Sequence, residues 1–191
     1  MVTLSKEEVE TFLEQIDDVE WHALFKLAFT TGLRRSEILG LTWNDVNLKQ
    51  KTLTVNQTVL RIDEVTTISK TTKNSSSRRS ISLDDKPIAE LLKLRTCVDK
   101  RRLKATNWRN NNLVFPGKFG NPRDPAKFSL KCKKFATAIG RPDFTMHDTR
   151  HTHATLLLEA GVNFKVVQMR LGHSSYQQTM DPYSHVTPIM E

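Results

Sequence analysis

The stretch from residue 145 to 183, TMHDTRHTHATLLLEAGVNFKVVQMRLGHSSYQQTMDPY, constrains this chain more than any other. Met146, Ala154, Leu157 and Leu158 recur at helical spacing, and Gly161 stands where a left-handed C-terminal cap is wanted. One helix is therefore predicted to carry His147, Arg150 and His151 at i, i+3, i+4 offsets, with His147 and Arg150 on the same face. A second short helix over residues 164–171 is predicted to end at Gly172, leaving His173 just past the cap. A third short segment then carries Tyr183. An arginine, two histidines and a tyrosine converge on a few apolar turns.

At 191 residues the chain fits a single domain with a real core. Its 29 basic and 21 acidic residues leave a net charge of +8, which suits a polyanion such as DNA or RNA or, equally, a merely soluble basic surface. The two cysteines, Cys97 and Cys132, sit in helical patterns away from any CxxC, so disulfides and thiolate metal sites are not expected and the setting reads as reducing. There is no signal peptide, and no apolar run approaches the ~20 residues of a membrane span, so a soluble protein is expected.

The remaining patterns predict a mainly helical α+β fold with a small antiparallel sheet. Ser5 and Glu8 form a capping box ahead of Val9, Phe12, Leu13 and Ile16, an amphipathic helix; helices over 19–30, ending near Gly32, and over 36–41 follow. From Asp45 the period becomes two: Val46 and Leu48, then Leu53, Val55, Thr58 and Leu60, and later Arg79-Ser80-Ile81-Ser82-Leu83. Residues 69–78, polar, basic and Ser-rich, read as an exposed hairpin loop between strands, with Lys70 at its entrance. Asp84 or Asp85 caps a helix with Pro87 in its first turn that runs into Lys100-Arg101-Arg102, residues 113–115 form a short extended piece, and Asp124-Pro125 opens a helix ending at Gly140.

Taken together, Thr31-Gly32-Leu33-Arg34-Arg35-Ser36-Glu37, Lys70, His147-Asp148-Thr149-Arg150-His151-Thr152, Leu171-Gly172-His173 and Tyr183-Ser184-His185-Val186 resemble the tyrosine recombinases, or phage-type integrases, over nearly the whole chain. The chain looks like their catalytic domain. The resemblance implies that fold, site-specific DNA integration and excision through a 3′-phosphotyrosine intermediate, and a further N-terminal DNA-binding domain beyond a single catalytic domain at residues 1–191. It makes Arg34 the first catalytic arginine, Lys70 the hairpin lysine, His147 and Arg150 the H-x-x-R pair, His173 the second histidine and Tyr183 the nucleophile. It also implies double-stranded attachment sites, other subunits in a tetramer on DNA, accessory DNA-bending or directionality proteins, and a cytoplasmic, nucleoid-associated setting in a bacterium. No cofactor is implied.

Elementary chemistry suits these roles. Two guanidinium forks can donate paired hydrogen bonds to the non-bridging oxygens of a phosphodiester transition state. A phenol of pKa near ~10 needs a base such as His147 or a cationic pocket to attack phosphorus, and Lys70 can protonate the leaving 5′-oxygen. So much positive charge leaves a metal unnecessary. Arg35, Lys73 and Tyr176 are the neighbouring rivals to Arg34, Lys70 and Tyr183; the spacing of ten from His173 favours Tyr183. His147, His151 and His153 form H-x3-H-x-H, a spacing that invites zinc, but His151 and His153 point in different directions on a helix and no carboxylate is correctly spaced, so both read as structural. Pro182 departs from the family pattern by favouring a new helix start at the tyrosine. The rival functions are a type IB topoisomerase, with the same covalent chemistry, and a catalytically silent DNA-binding module.

Overall fold

The computed structural model describes residues 2–69 and 78–173. Lys70 and Tyr183, together with Lys73, Tyr176 and Pro182, lie outside the described residues.

Helix α1 (Lys6–Glu14) begins at the Ser5 and Glu8 capping box and buries Val9, Phe12 and Leu13. Asp18 caps α2 (Val19–Thr31), which is buried nearly all round because it runs through the centre of the domain, and α3 (Arg35–Gly40) follows. Next come a 3-10 turn at Trp43–Asp45 and five short strands, β1 (Val46–Asn47), β2 (Thr52–Thr54), β3 (Thr58–Ile62), β4 (Val65–Ser69) and β5 (Ser80–Ser82). The described residues continue through α4 (Asp85–Lys104), α5 (Pro125–Ala138), α6 (Asp148–Glu159) and α7 (Phe164–Leu171). The mainly helical α+β expectation holds, and the α7 boundaries match the prediction.

The β region departs from its expected form. Among the described residues two antiparallel sheets replace one: β1-β2-β5, with Leu53 opposite both Val46 and Ile81, and a separate β3-β4 pair with Val59 opposite Ile68. The hairpin turn is Asp63-Glu64, both residues at positive φ as a tight two-residue turn demands, so residues 70–77 connect two sheets rather than the arms of one hairpin. Strand β4 was missed because Val65-Thr66-Thr67-Ile68 lacks a clean apolar alternation. In β3 the phase also slips: Val59 is buried and Leu60 faces out, since Asn56-Gln57 break the strand after Val55.

Phe12 forms the hub of the core, meeting Phe25, Phe29, Phe135 and Phe144 edge-on with ring centroids 5.1–6.2 Å apart. Each such pair contributes ~0.5–1.5 kcal/mol beyond its area burial. The cluster joins α1, α2, α5 and the loop entering α6, and so fixes the place where His147 emerges. A second join is buried Glu20, gripped by Arg101 of α4 and Arg123 ahead of α5.

Candidate active site

The cleft is assembled from helix ends. Gly32 closes α2 and Gly172 closes α7, both in the left-handed conformation with φ of 63° and 68°. A Cβ on Gly32 would lie 2.6 Å from the His153 ring and 2.8 Å from Leu171, so this position requires glycine for space as well as φ. Arg150, on the first turn of α6 and only 3% exposed, reaches both ends: Nη1 donates to Gly32 O at 2.8 Å and Nη2 to Leu171 O at 2.7 Å. C-terminal carbonyls carry the negative end of the helix dipole, so they compensate a buried guanidinium.

Arg34 is the residue before α3. Glu37, three residues on, accepts from its backbone N–H at 2.8 Å and from its Nη1 at 3.0 Å. The Arg34 guanidinium remains 40% exposed and lines the cleft; Arg35 lines it too, donating to Ser129 Oγ at 2.6 Å, and of the two only Arg34 bonds Glu37. Glu37 itself is buried and shared with Arg79, whose Nη1 and Nη2 donate to its two oxygens at 3.1 and 2.8 Å. Burial pushes the Glu37 carboxyl up, but the hydrogen bonds and charge of Arg79, with help from Arg34, outweigh it and hold the pKa below the usual carboxylate value.

His147 caps α6 rather than lying inside it, a correction of one residue. The turn is set by Thr145, whose N–H and hydroxyl both donate to Asp148 Oδ2, at 2.9 and 2.6 Å. The offset to Arg150 survives, because His147 has helical backbone angles and its carbonyl accepts from Arg150 N–H at 3.1 Å. His147 opens to the cleft and meets the His151 ring edge-on at 4.6 Å. Its pKa is lowered, by burial first and then by Arg150 and Arg34, against Asp148. His173, half-buried at the end of α7, is pushed down to about 3 by burial and then by Arg150, Arg34, Arg79 and His151, and His151 to about 4 by burial and the neighbouring His147. His147 and His173 are thus both neutral near pH 7.

Arg34, His147 and Arg150 line one cleft of about 530 Å³, and the charges of both arginines act on His147 and on His173. His153 stands apart: Nδ1 donates to Phe29 O at 2.9 Å and Nε2 accepts from Arg170 Nε at 3.1 Å, which fixes the tautomer and removes it from any set with His147 and His151. Among the described residues no three His, Cys, Asp or Glu side chains group as metal ligands, and no helix is long and apolar enough to cross a membrane. Sequence reasoning missed three contributors. Ser129 and Lys133, one turn apart on α5, also line the cleft, and Arg79 grips Glu37 from behind. The signal for Arg79 was present, since it shares its alternation with buried Ile81 and Leu83.

Comparison with known proteins matches this arrangement. A tyrosine recombinase XerC-like protein of Caldanaerobacter subterraneus subsp. tengcongensis is 35% identical over 97% of this chain and 51% of its own length. The integrase of Staphylococcus phage L54a is 30% identical over 84% of this chain and 46% of its own. The chain therefore spans about half the length of these curated relatives. Among solved structures, the Tn1549 transposon integrase in complex with a circular intermediate DNA superposes with a TM-score of 0.80 at 25% identity, covering 95% of this chain and 61% of that one. The model of the phage integrase family matches residues 3–189, and with the fold and the arginine-histidine cleft in agreement, the chain belongs to that family.

Proposed function

We propose that this chain is the catalytic part of a site-specific DNA recombinase that cuts and rejoins strands through a 3′-phosphotyrosine. The observation that carries the reading is the convergence of Arg34, His147 and Arg150 on one cleft, with His173 in their field and no carboxylate among the four. Such a site concentrates positive charge where a phosphodiester gathers negative charge in its transition state. Arg34, exposed on the cleft side, and Arg150, rigidly held, supply guanidinium donors to the non-bridging oxygens. Neutral His147 takes the phenolic proton of Tyr183 as its oxygen attacks phosphorus, and His173 orders the phosphate. Lys70 protonates the departing 5′-oxygen. The phosphotyrosine bond conserves the energy of the broken ester, so a second 5′-hydroxyl can reverse the step without ATP.

Membership in the phage integrase family and the likeness to an integrase solved with a circular intermediate DNA support DNA as the substrate. Four copies on paired attachment sites belong to the same reading. Lys133 and Ser129, which line the cleft from α5, are the residues placed to meet the strand beside the reacting phosphate.

The test is metal-free cleavage. A pool of nicked duplexes of randomised sequence, bearing a bridging 5′-phosphorothiolate, is incubated with the chain in excess EDTA and the released 5′-thiol is titrated. Release that disappears in Arg150→Ala while DNA binding persists is expected. Bound DNA with no release supports a DNA-binding module instead.

A further inference from the structure

We infer that Arg79 is a positioning residue that couples the two sides of the cleft, holding Arg34 through Glu37 and His173 through the end of α7. The inference rests on the recombinase reading for its catalytic consequence, but its geometry stands alone. Arg79 follows residues 70–77 and immediately precedes β5; its side chain is 7% exposed. Toward α3 it donates from both Nη atoms to Glu37, the same carboxylate that accepts the Arg34 N–H and Nη1. Toward α7 its Nε donates to Arg170 O at 2.7 Å, next to the carbonyl of Leu171 that Arg150 grips. Two arginines thus hold adjacent carbonyls of one helix terminus, those of Arg170 and Leu171, just ahead of His173.

The packing leaves Arg79 little room. A Cβ on Gly172 would fall 2.9 Å from Arg79 Nη1 and 3.0 Å from its Cδ, so the glycine that ends α7 also makes space for this guanidinium. A planar fork with three anchored nitrogens fixes distance and angle together, which an ammonium on a flexible stem does not. Lysine at position 79 would satisfy the charge of Glu37 and leave Arg170 O or one carboxylate oxygen without its donor. Arg79 lies behind Glu37, so it acts on the reaction through Arg34 and His173 and not by touching DNA.

The test compares wild type, Arg79→Lys, Arg79→Ala and a stability control, Arg101→Lys, which disturbs the remote Glu20 pair. Backbone hydrogen exchange is the first readout. Arg79→Ala and Arg79→Lys are expected to accelerate exchange together at Arg34, whose N–H is held by Glu37, and at Gly172 and His173, while the middle of α2 stays protected. Arg101→Lys is expected to leave these three amides unchanged even where its melting point falls. The second readout is single-turnover cleavage of the nicked phosphorothiolate pool, alongside its binding. Arg79→Ala is expected to cut the rate ~100-fold, the scale of an ångström misplacement, with affinity within about twofold. Arg79→Lys should fall between, and millimolar guanidinium should restore part of the alanine rate. Unchanged exchange at the three amides, or loss spread evenly over the domain, overturns the inference. If wild type shows no cleavage, the recombinase reading fails while hydrogen exchange still decides the role of Arg79.

Discussion

Replacing Glu37 by glutamine removes one charge from the structural base of the cleft and keeps its shape. Glu37 is 3% exposed and serves two cations of unequal burial: Arg34 is 40% exposed, Arg79 only 7%. The Arg34 pair is screened by water and contributes no more than ~1 kcal/mol. The Arg79 pair is buried, and removing one partner of a buried pair costs ~3–5 kcal/mol because the other charge is left uncompensated. The glutamine carbonyl still accepts one hydrogen bond, which sets the loss near ~3 kcal/mol, or ~6–12 °C in melting temperature for a domain of this size. Urea unfolding followed by tryptophan fluorescence at pH 7 measures it. Because burial raises and the two arginines more than lower the Glu37 pKa, its stabilisation is full above the unfolded value of ~4.3 and drains away as pH falls through the folded value. The gap between wild type and Glu37→Gln should therefore narrow from pH 7 toward pH 3. Arg34→Ala gives the contrast, a loss under ~1 kcal/mol with cleavage abolished. A Glu37→Gln variant as stable as wild type, or a gap that widens in acid, refutes the account of the buried pair.

Gly172→Ala places a side chain at φ +68° and against the Arg79 guanidinium, and should cost at least ~1 kcal/mol, seen as a lowered melting temperature; an unchanged value contradicts the assigned close approach. His153 is buried and neutral, its pKa pushed down to about 3 by burial and then by Arg170, so the fold loses stability as pH falls from ~6.5 toward that value, at up to ~1.4 kcal/mol per pH unit. His153→Gln should flatten that part of the stability-pH curve measured by urea unfolding. Cys132 is fully buried, with its thiol pushed up to about 12 by burial and Asp148, so at pH 8 iodoacetamide should label it only after denaturant is added.

What could be read from sequence divides along physical lines. Helix ends were legible because glycine and capping residues act locally: Ser5 with Glu8, Gly32, Asp124 with Pro125, and Gly172 all stand where expected. Arg34, His147 and Arg150 were legible through the motifs that carry the family resemblance, and the structure brings these three to one cleft. Strand pairing was not, because β2 meets β5 across 28 positions from Leu53 to Ile81 and no local signal encodes that partner. The same non-locality hid the Arg79-Glu37 pair, 42 residues apart, although the alternation around Ile81 already turned Arg79 inward. Ser129 and Lys133 escaped because an exposed polar residue on a basic helix looks alike whether it faces a cleft or bulk water.

The identity of the residue that becomes joined to DNA tests the recombinase reading most directly. The nicked phosphorothiolate pool is incubated with the chain in EDTA, the protein is digested with nuclease and trypsin, and the adducted peptide is sequenced by mass spectrometry. A nucleotide attached through its 3′-phosphate to Tyr183, absent from Tyr183→Phe, is the predicted result. An adduct at Tyr176 or another residue, a 5′-phosphate linkage, or cleavage that requires a divalent metal contradicts it.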